Sequence, residues 1–163
     1  MSKPTREERF WAKVDKAGPV PQRCPDLGRC WLWTGAKGGN GYGYFRADGR
    51  PVGAHRFSYS LQHGPIPDRV EVDHVCHVLM CVNPSHLRPA SRKQNGEYRS
   101  GAQSNNESSG VRNVYREVGG WRVQIKHNGR RTSFGTYPTI AEAEAVAIRE
   151  RDRLFTFSER TFA

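Results

Sequence analysis

The stretch Val72–Asn95, VDHVCHVLMCVNPSHLRPASRKQN, decides how the chain is read. It sets an Asp-His pair, two cysteines, a further histidine and an asparagine in one short segment. Cys76, Cys81 and His86 follow at C-x4-C and C-x4-H spacing. Thiolate sulfur and imidazole nitrogen at such intervals suit zinc, which takes four ligands in a tetrahedron. The fourth ligand must come from outside the stretch, and the candidates are Cys30 and Cys24. Cys30 is preferred because it opens a strand-like segment, CWLW, that can be held rigidly. Cys24 lies in a loop between Arg23 and Pro25. A zinc ion closed by four protein ligands is structural, not catalytic.

The same stretch carries its own secondary-structure signals. Val70–Val75 reads as a short strand, and Asn83-Pro84 opens a helical turn because proline suits the first helical position. Leu87–Pro89 reads as a return strand. Ser91 and Gln94 form a capping box, so a helix is expected from about Arg92 to Arg99, with Asn95 in its first turns. A ββα unit of this kind would bring the Asp73 carboxylate close to the Asn95 carbonyl oxygen. Two hard oxygen ligands with open water positions suit Mg²⁺ or Mn²⁺. His74, beside such an ion, has the near-neutral pKa of a general base that can deprotonate a water. With the ion polarising a phosphate, this chemistry hydrolyses a phosphodiester.

The pattern DH-x-C-x4-C-x-NP-x-HL-x7-N resembles the HNH nucleases, specifically the His-Cys box and phage or intron homing branch with the ββα-metal fold. CWLWTG, GYG and AHRFSY upstream resemble the N-terminal half of that branch, so the likeness covers about residues 8–99. It implies that His74 is the general base and that Asp73 and Asn95 hold the catalytic divalent ion. It implies that Cys30, Cys76, Cys81 and His86 hold the structural zinc, and that Asn83 hydrogen-bonds across the loop. An arginine grips the scissile phosphate in such enzymes. Arg46, Arg50 and Arg56 are the candidates, and the sequence does not choose among them.

Working outward, Thr5 and Glu8 box the start of a helix over 5–14, with Phe10, Trp11 and Val14 on its buried side. Strands are expected at Cys30–Trp33 and Gly41–Arg46, and Asp48-Gly49 is a hairpin turn into Arg50–Val52. Ala54–Gln62 reads as a helix stopped by Gly64. His55 and His63 flank that helix and read as helix-end or core residues.

The segment SGAQSNNESSG has no large apolar side chain and reads as a flexible linker. Beyond it, strands are expected at Val111–Arg116, Trp121–Lys126 and Arg130–Tyr137, with Asn128-Gly129 turning the last pair. Thr139 and Glu142 box a helix that runs to about Leu154. Alternation puts Trp121, Val123 and Ile125 toward the helix, against Ala141, Ala145 and Ile148. Arg122, Gln124 and Lys126 take the opposite face, extended by Arg112, Arg130, Arg131 and Ser133. A cationic sheet face of this width suits a DNA groove. The run GVRNVYREVGGWRVQI…RTSFGTYPTIAEAEAVA resembles the ethylene-response-factor (Apetala-type) DNA-binding domain, over about residues 108–155. The resemblance implies sheet-face DNA contacts from Arg112, Arg122, Gln124, Lys126 and Arg131. Ser133 stands where plant members carry Trp.

Composition agrees with a polyanionic partner. The 163 residues carry a formal charge of +10, which points to double-stranded DNA and says nothing of the fold. Only 36% of residues are apolar, so the core is small and a structural metal would support it. No apolar run is long enough to span a bilayer. MSKPTREERFW lacks a hydrophobic signal core, so a cytoplasmic, nucleoid-associated location in a bacterial or phage-infected host cell is expected. In that reducing compartment cysteines read as metal ligands before disulfides.

The expected architecture is α+β. It comprises a zinc-stapled ββα-metal nuclease domain over 1–99, a linker over 100–109, and a three-stranded antiparallel sheet packed on one helix over 110–157. The resemblances imply a site-specific, homing-type DNA endonuclease with one divalent ion and a His general base. The alternative is a non-catalytic DNA-binding regulator on a zinc-stabilised scaffold. A double-strand cut would need two active sites and hence a homodimer, for which no interface is readable.

Overall fold

The computed structural model describes residues 2–99, 101–102 and 106–157. The chain divides into two compact units, Met1–Arg92 and Lys93–Ala163. The division falls inside α3 (Arg92–Glu97), upstream of the composition change at Ser100.

The first unit is built on small paired elements. α1 (Arg6–Trp11) begins at a Thr5/Glu8 capping box. β1 (Val14–Asp15) pairs with β2 (Leu32–Trp33), and β3 (Tyr44–Ala47) pairs with β4 (Arg50–Gly53). Asp48 and Gly49 both take positive φ, 50° and 78°, which is the twist a tight hairpin turn requires. α2 (Ala54–His63) ends at Gly64, whose φ is 82°. The core between these pieces is aromatic. Phe10 lies 5.0 Å from the Trp33 ring in a stacked arrangement and 4.8 Å from Phe57. Phe45 and Ala54 complete it, with Trp11 and Trp31 packed at its edge. Val14 packs on the same core from β1 and not from α1. β5 (Glu71–His74) then pairs antiparallel with β6 (Leu87–Ala90), with Asp73 opposite Arg88 and His74 opposite Leu87.

The second unit contains a three-stranded antiparallel sheet in the order β7 (Val114–Glu117), β8 (Gly120–His127), β9 (Arg130–Tyr137). α4 (Ile140–Leu154) starts at the Thr139/Glu142 capping box and packs on the sheet. Asn128 and Gly129 turn β8 into β9 at φ 49° and 80°. β7 starts three residues later than the sequence suggests, because Asn113 takes a left-handed φ of 67° and ends a turn there.

Val123 faces α4, as its alternation predicts, but the helix presents a different stripe to it. Ala143, Val146 and Ala147 are buried, while Ala141 and Ala145 are exposed and Ile148 is half-buried. Both stripes have helical spacing. The sheet takes the stripe carrying Val146, which packs with Ala143 and Ala147 against Val114 and Val123.

Candidate metal centre and active site

Cys30, Cys76, Cys81 and His86 are all buried, and their ligand atoms lie within 4.8 Å of one another. Backbone pairing assembles this set. Val82 N–H donates to the Trp31 carbonyl at 2.7 Å and Trp33 N–H to the Met80 carbonyl at 2.8 Å. Leu32 and Cys81 form a bridge between those bonds. The segment carrying Cys30 therefore runs alongside the loop carrying Cys81. Gly18 backs it so closely that a Cβ there would lie 2.4 Å from the Cys30 carbonyl oxygen. Cys24 is buried beside the cluster but is not one of the four.

The donor set fits a tetrahedral ion. His86 Nδ1 lies 3.5 Å from both the Cys30 and Cys81 sulfurs. A zinc tetrahedron with ordinary Zn–S and Zn–N bonds has an S···N edge of about 3.6 Å. His86 Nε2 lies 3.1 Å from the Leu27 carbonyl, so Nε2 carries the proton and Nδ1 keeps its lone pair for the cluster. Asn83 braces the loop. Its Nδ2 donates to the Arg29 carbonyl at 2.8 Å, its Oδ1 accepts from Ser85 N–H, and its own N–H points at the Cys81 sulfur at 3.5 Å. Hydrogen bonds from the Cys76 thiol and from backbone N–H groups pull Cys81 down to about 5. Cys76 is pushed up, first by giving that hydrogen bond and then by burial. Burial raises Cys30 to about 12. The pocket thus stabilises a thiolate at Cys81, and a cation would be needed to draw the other two into ionising.

His74 sits beside this staple. It is buried, and its Nε2 lies 2.9 Å from the Cys81 carbonyl oxygen. A carbonyl only accepts, so Nε2 is the protonated nitrogen and Nδ1 holds the lone pair. Burial lowers its pKa and keeps the ring neutral. Asp73, also buried, accepts from Arg88, whose Nε and Nη2 both lie 3.0 Å from Oδ2. Among the described residues none bonds its Oδ1. Arg88 was not singled out from the sequence. Its signal was positional, since strand pairing sets it directly across from Asp73.

The sequence also passed over His55. Its ring, in the first turn of α2, lies 4.8 Å from that of His74, and Tyr42 lies 5.2 Å from His55 and 5.9 Å from His74. Burial pushes His55 down to about 3. Asn95 is half-buried on α3, in the second unit.

The basic residues fall into two groups. Arg46 and Arg50 are exposed on the β3–β4 hairpin, while Arg56 spends a guanidinium N–H on the Val70 carbonyl at 3.1 Å. In the second unit Arg112 donates to the carbonyls of Glu97, Gly96 and Arg99 and lies over the Phe155 ring. It satisfies the orphan carbonyls at the end of α3, and the residue lines the same cleft as Gln124, Lys126 and Arg131. Arg122 pairs with Glu117 at 2.8 Å. Lys126, Arg130 and Arg131 are exposed, and Gln124, Lys126 and Arg131 line a cleft of about 720 Å³ with Tyr115 and Lys93.

Comparison with known proteins gives a bounded result. Residues 52–97 match the family model described as HNH endonuclease, which covers β5, β6, Asp73, His74, the Cys76–His86 loop and α3. Protein 7.7 of Escherichia phage T7 is 37% identical over 68 residues, covering 42% of this chain and 52% of the phage protein. The chain thus spans about half the length of the curated relative it matches. No solved structure matches it. Among the described residues no helix is long and apolar enough to cross a membrane.

Proposed function

We propose that the protein is a DNA endonuclease of the homing type, hydrolysing phosphodiester bonds with His74 as general base. The observation that carries this is the His74–Cys81 hydrogen bond within the segment that matches the HNH family. With Nε2–H fixed on the Cys81 carbonyl, Nδ1 takes the proton from the attacking water. Burial keeps the ring neutral before that step, as a base requires. Asp73 Oδ1 and the Asn95 carbonyl oxygen are the hard donors that would hold a single Mg²⁺ or Mn²⁺ ion, which when bound neutralises phosphate charge and stabilises the leaving 3′ oxygen. Arg88 holds the Asp73 carboxylate in place. Zinc on Cys30, Cys76, Cys81 and His86 is the structural ion of this reading.

The second unit supplies DNA affinity through Gln124, Lys126, Arg130 and Arg131. This reading rests on the cationic sheet face and on the resemblance of its three strands and helix to ethylene-response-factor domains. Arg112 and Arg122 are left out of the contact set because both are held by neighbours. Arg46 and Arg50, exposed on their hairpin, are the remaining candidates for the scissile phosphate.

The test is incubation of the purified protein with supercoiled plasmid, with Mg²⁺ and with a chelator of it. Relaxed or linear product that requires Mg²⁺ supports the endonuclease. Tight DNA binding with no cutting under any divalent ion supports the regulator instead.

A further inference from the structure

His55 has no use in the account so far, and it is an expensive residue to place where it is. Its Nδ1 is buried with no hydrogen-bond partner among the described residues. An unsatisfied buried polar nitrogen is destabilising against a hydrocarbon of similar shape. If the position existed only to pack Tyr42 and His74, a phenylalanine would serve better. What a phenylalanine lacks is the second ring nitrogen. Nδ1 lies at the buried edge, close enough to Gly53 that a Cβ there would sit 3.4 Å away. Cε1 is closer still, at 3.1 Å, so the Cε1–Nδ1 side of the ring faces Gly53. Nε2, unlike Nδ1, is not among the buried unpartnered atoms of the described residues. The ring as a whole is neutral, because burial, His74 and Arg56 all disfavour its protonation. A neutral imidazole with one nitrogen left bare presents an N–H donor at the other.

We infer that His55 is a second imidazole of the phosphodiester site, its Nε2–H donating a hydrogen bond to a non-bridging phosphate oxygen while His74 takes the proton from water. The inference rests on the endonuclease reading above. The ring separation of 4.8 Å sets the two imidazoles side by side, within the span of one phosphate and its attacking water. A fixed donor aimed at developing phosphate charge acts mainly in the transition state, so it should move kcat more than KM.

The test compares H55F and H55Q with wild type and H74A. H55F keeps a ring and loses the donor. H55Q places an amide N–H near the position of Nε2. H55F should remain folded and metal-loaded, keep its KM for DNA, and lose about 10²-fold in kcat, the scale of one removed oxyanion donor. H55Q should recover to within about tenfold of wild type, on the general principle that the donor and not the ring is what counts. H55F cutting at the wild-type rate, or H55Q as slow as H55F, would overturn the inference. A second readout does not depend on cutting. In ¹⁵N-labelled wild-type protein with Ca²⁺ and a short DNA duplex, the His55 Nε2 resonance should shift on DNA addition and Nδ1 should not. An unmoved Nε2 would overturn the proposal even in an active enzyme. If wild type fails to cut while Nε2 still shifts, the endonuclease reading falls and the phosphate contact stands.

Discussion

The carbonyl oxygen of Cys81 accepts a hydrogen bond from His74 while its sulfur lies 3.5 Å from His86 Nδ1. One residue thus joins the candidate metal staple to the candidate base. Whatever fixes the sulfur also fixes the carbonyl, and with it the tautomer and orientation of His74. Replacing a cysteine of the ligand set should therefore unfold the site, and the two remote cysteines, Cys30 and Cys24, should differ. Cys30→Ser is expected to lose the bound metal and the cooperative thermal transition of the first unit. Cys24→Ser should keep both, at a cost near 1 kcal/mol for altering a buried residue. Metal content by emission spectrometry with a circular-dichroism melt distinguishes them. Full metal content in Cys30→Ser would contradict the ligand set.

Asp73 and Arg88 form a buried pair, with side chains 10% and 11% exposed. Removing one partner leaves the other charge uncompensated, which typically costs about 3–5 kcal/mol. Arg88→Met should be destabilised on that scale in urea unfolding, and Arg88→Lys should recover only part of it, since one ammonium cannot reproduce the paired Nε and Nη2 contacts. Equal stability of Arg88→Met and wild type would show that the pair does not hold Asp73.

Arg112 and Lys126 should separate by assay. Arg112→Ala removes the donor that satisfies the carbonyls of α3 and is expected to lose about 1.5–3 kcal/mol of stability, with little change in the salt dependence of DNA binding. Lys126→Ala should leave stability within about 0.5 kcal/mol and lower the salt slope by about one unit. Fluorescence anisotropy against salt concentration, paired with urea unfolding, measures both. A reversed pattern would make Arg112 a DNA contact and Lys126 a structural residue.

Much of this organisation is legible in the sequence because local chemistry enforces it. Thr5/Glu8 and Thr139/Glu142 close capping boxes, and Asp48-Gly49 and Asn128-Gly129 turn hairpins, at the positions their residue types require. The close spacing of Cys76, Cys81 and His86 also travels with the chain. What was not legible depends on pairing across distance. Arg88 meets Asp73 through strand register, Arg112 reaches back to carbonyls near Glu97, and His55 meets His74 through the packing of α2. The buried stripe of α4 was ambiguous for a related reason, since its sequence offers two helical stripes of small residues and only the sheet chooses.

Acid should weaken the first unit in a way traceable to His55. Its folded pKa of about 3 lies below the ordinary 6.5. As pH falls below about 6.5 the unfolded chain takes up a proton that the folded state refuses until about 3. The sign is therefore loss of stability on acidification across that window, with full stability above it, and a size of a few kcal/mol at most. His55→Phe removes the titrating group, so its urea-unfolding free energy should fall less than that of wild type between pH 7 and pH 4.5. Parallel curves would mean that His55 takes up its proton while folded.

The central claim is that His74 is the base of a DNA-cleaving site, and strand-scission kinetics of His74→Ala test it most directly. With Mg²⁺ and supercoiled plasmid, the variant should lose at least about 10²-fold in rate, the scale of a general base. It should keep its metal content and bind DNA with wild-type affinity. A folded, metal-loaded His74→Ala protein that cuts at the wild-type rate would contradict the account.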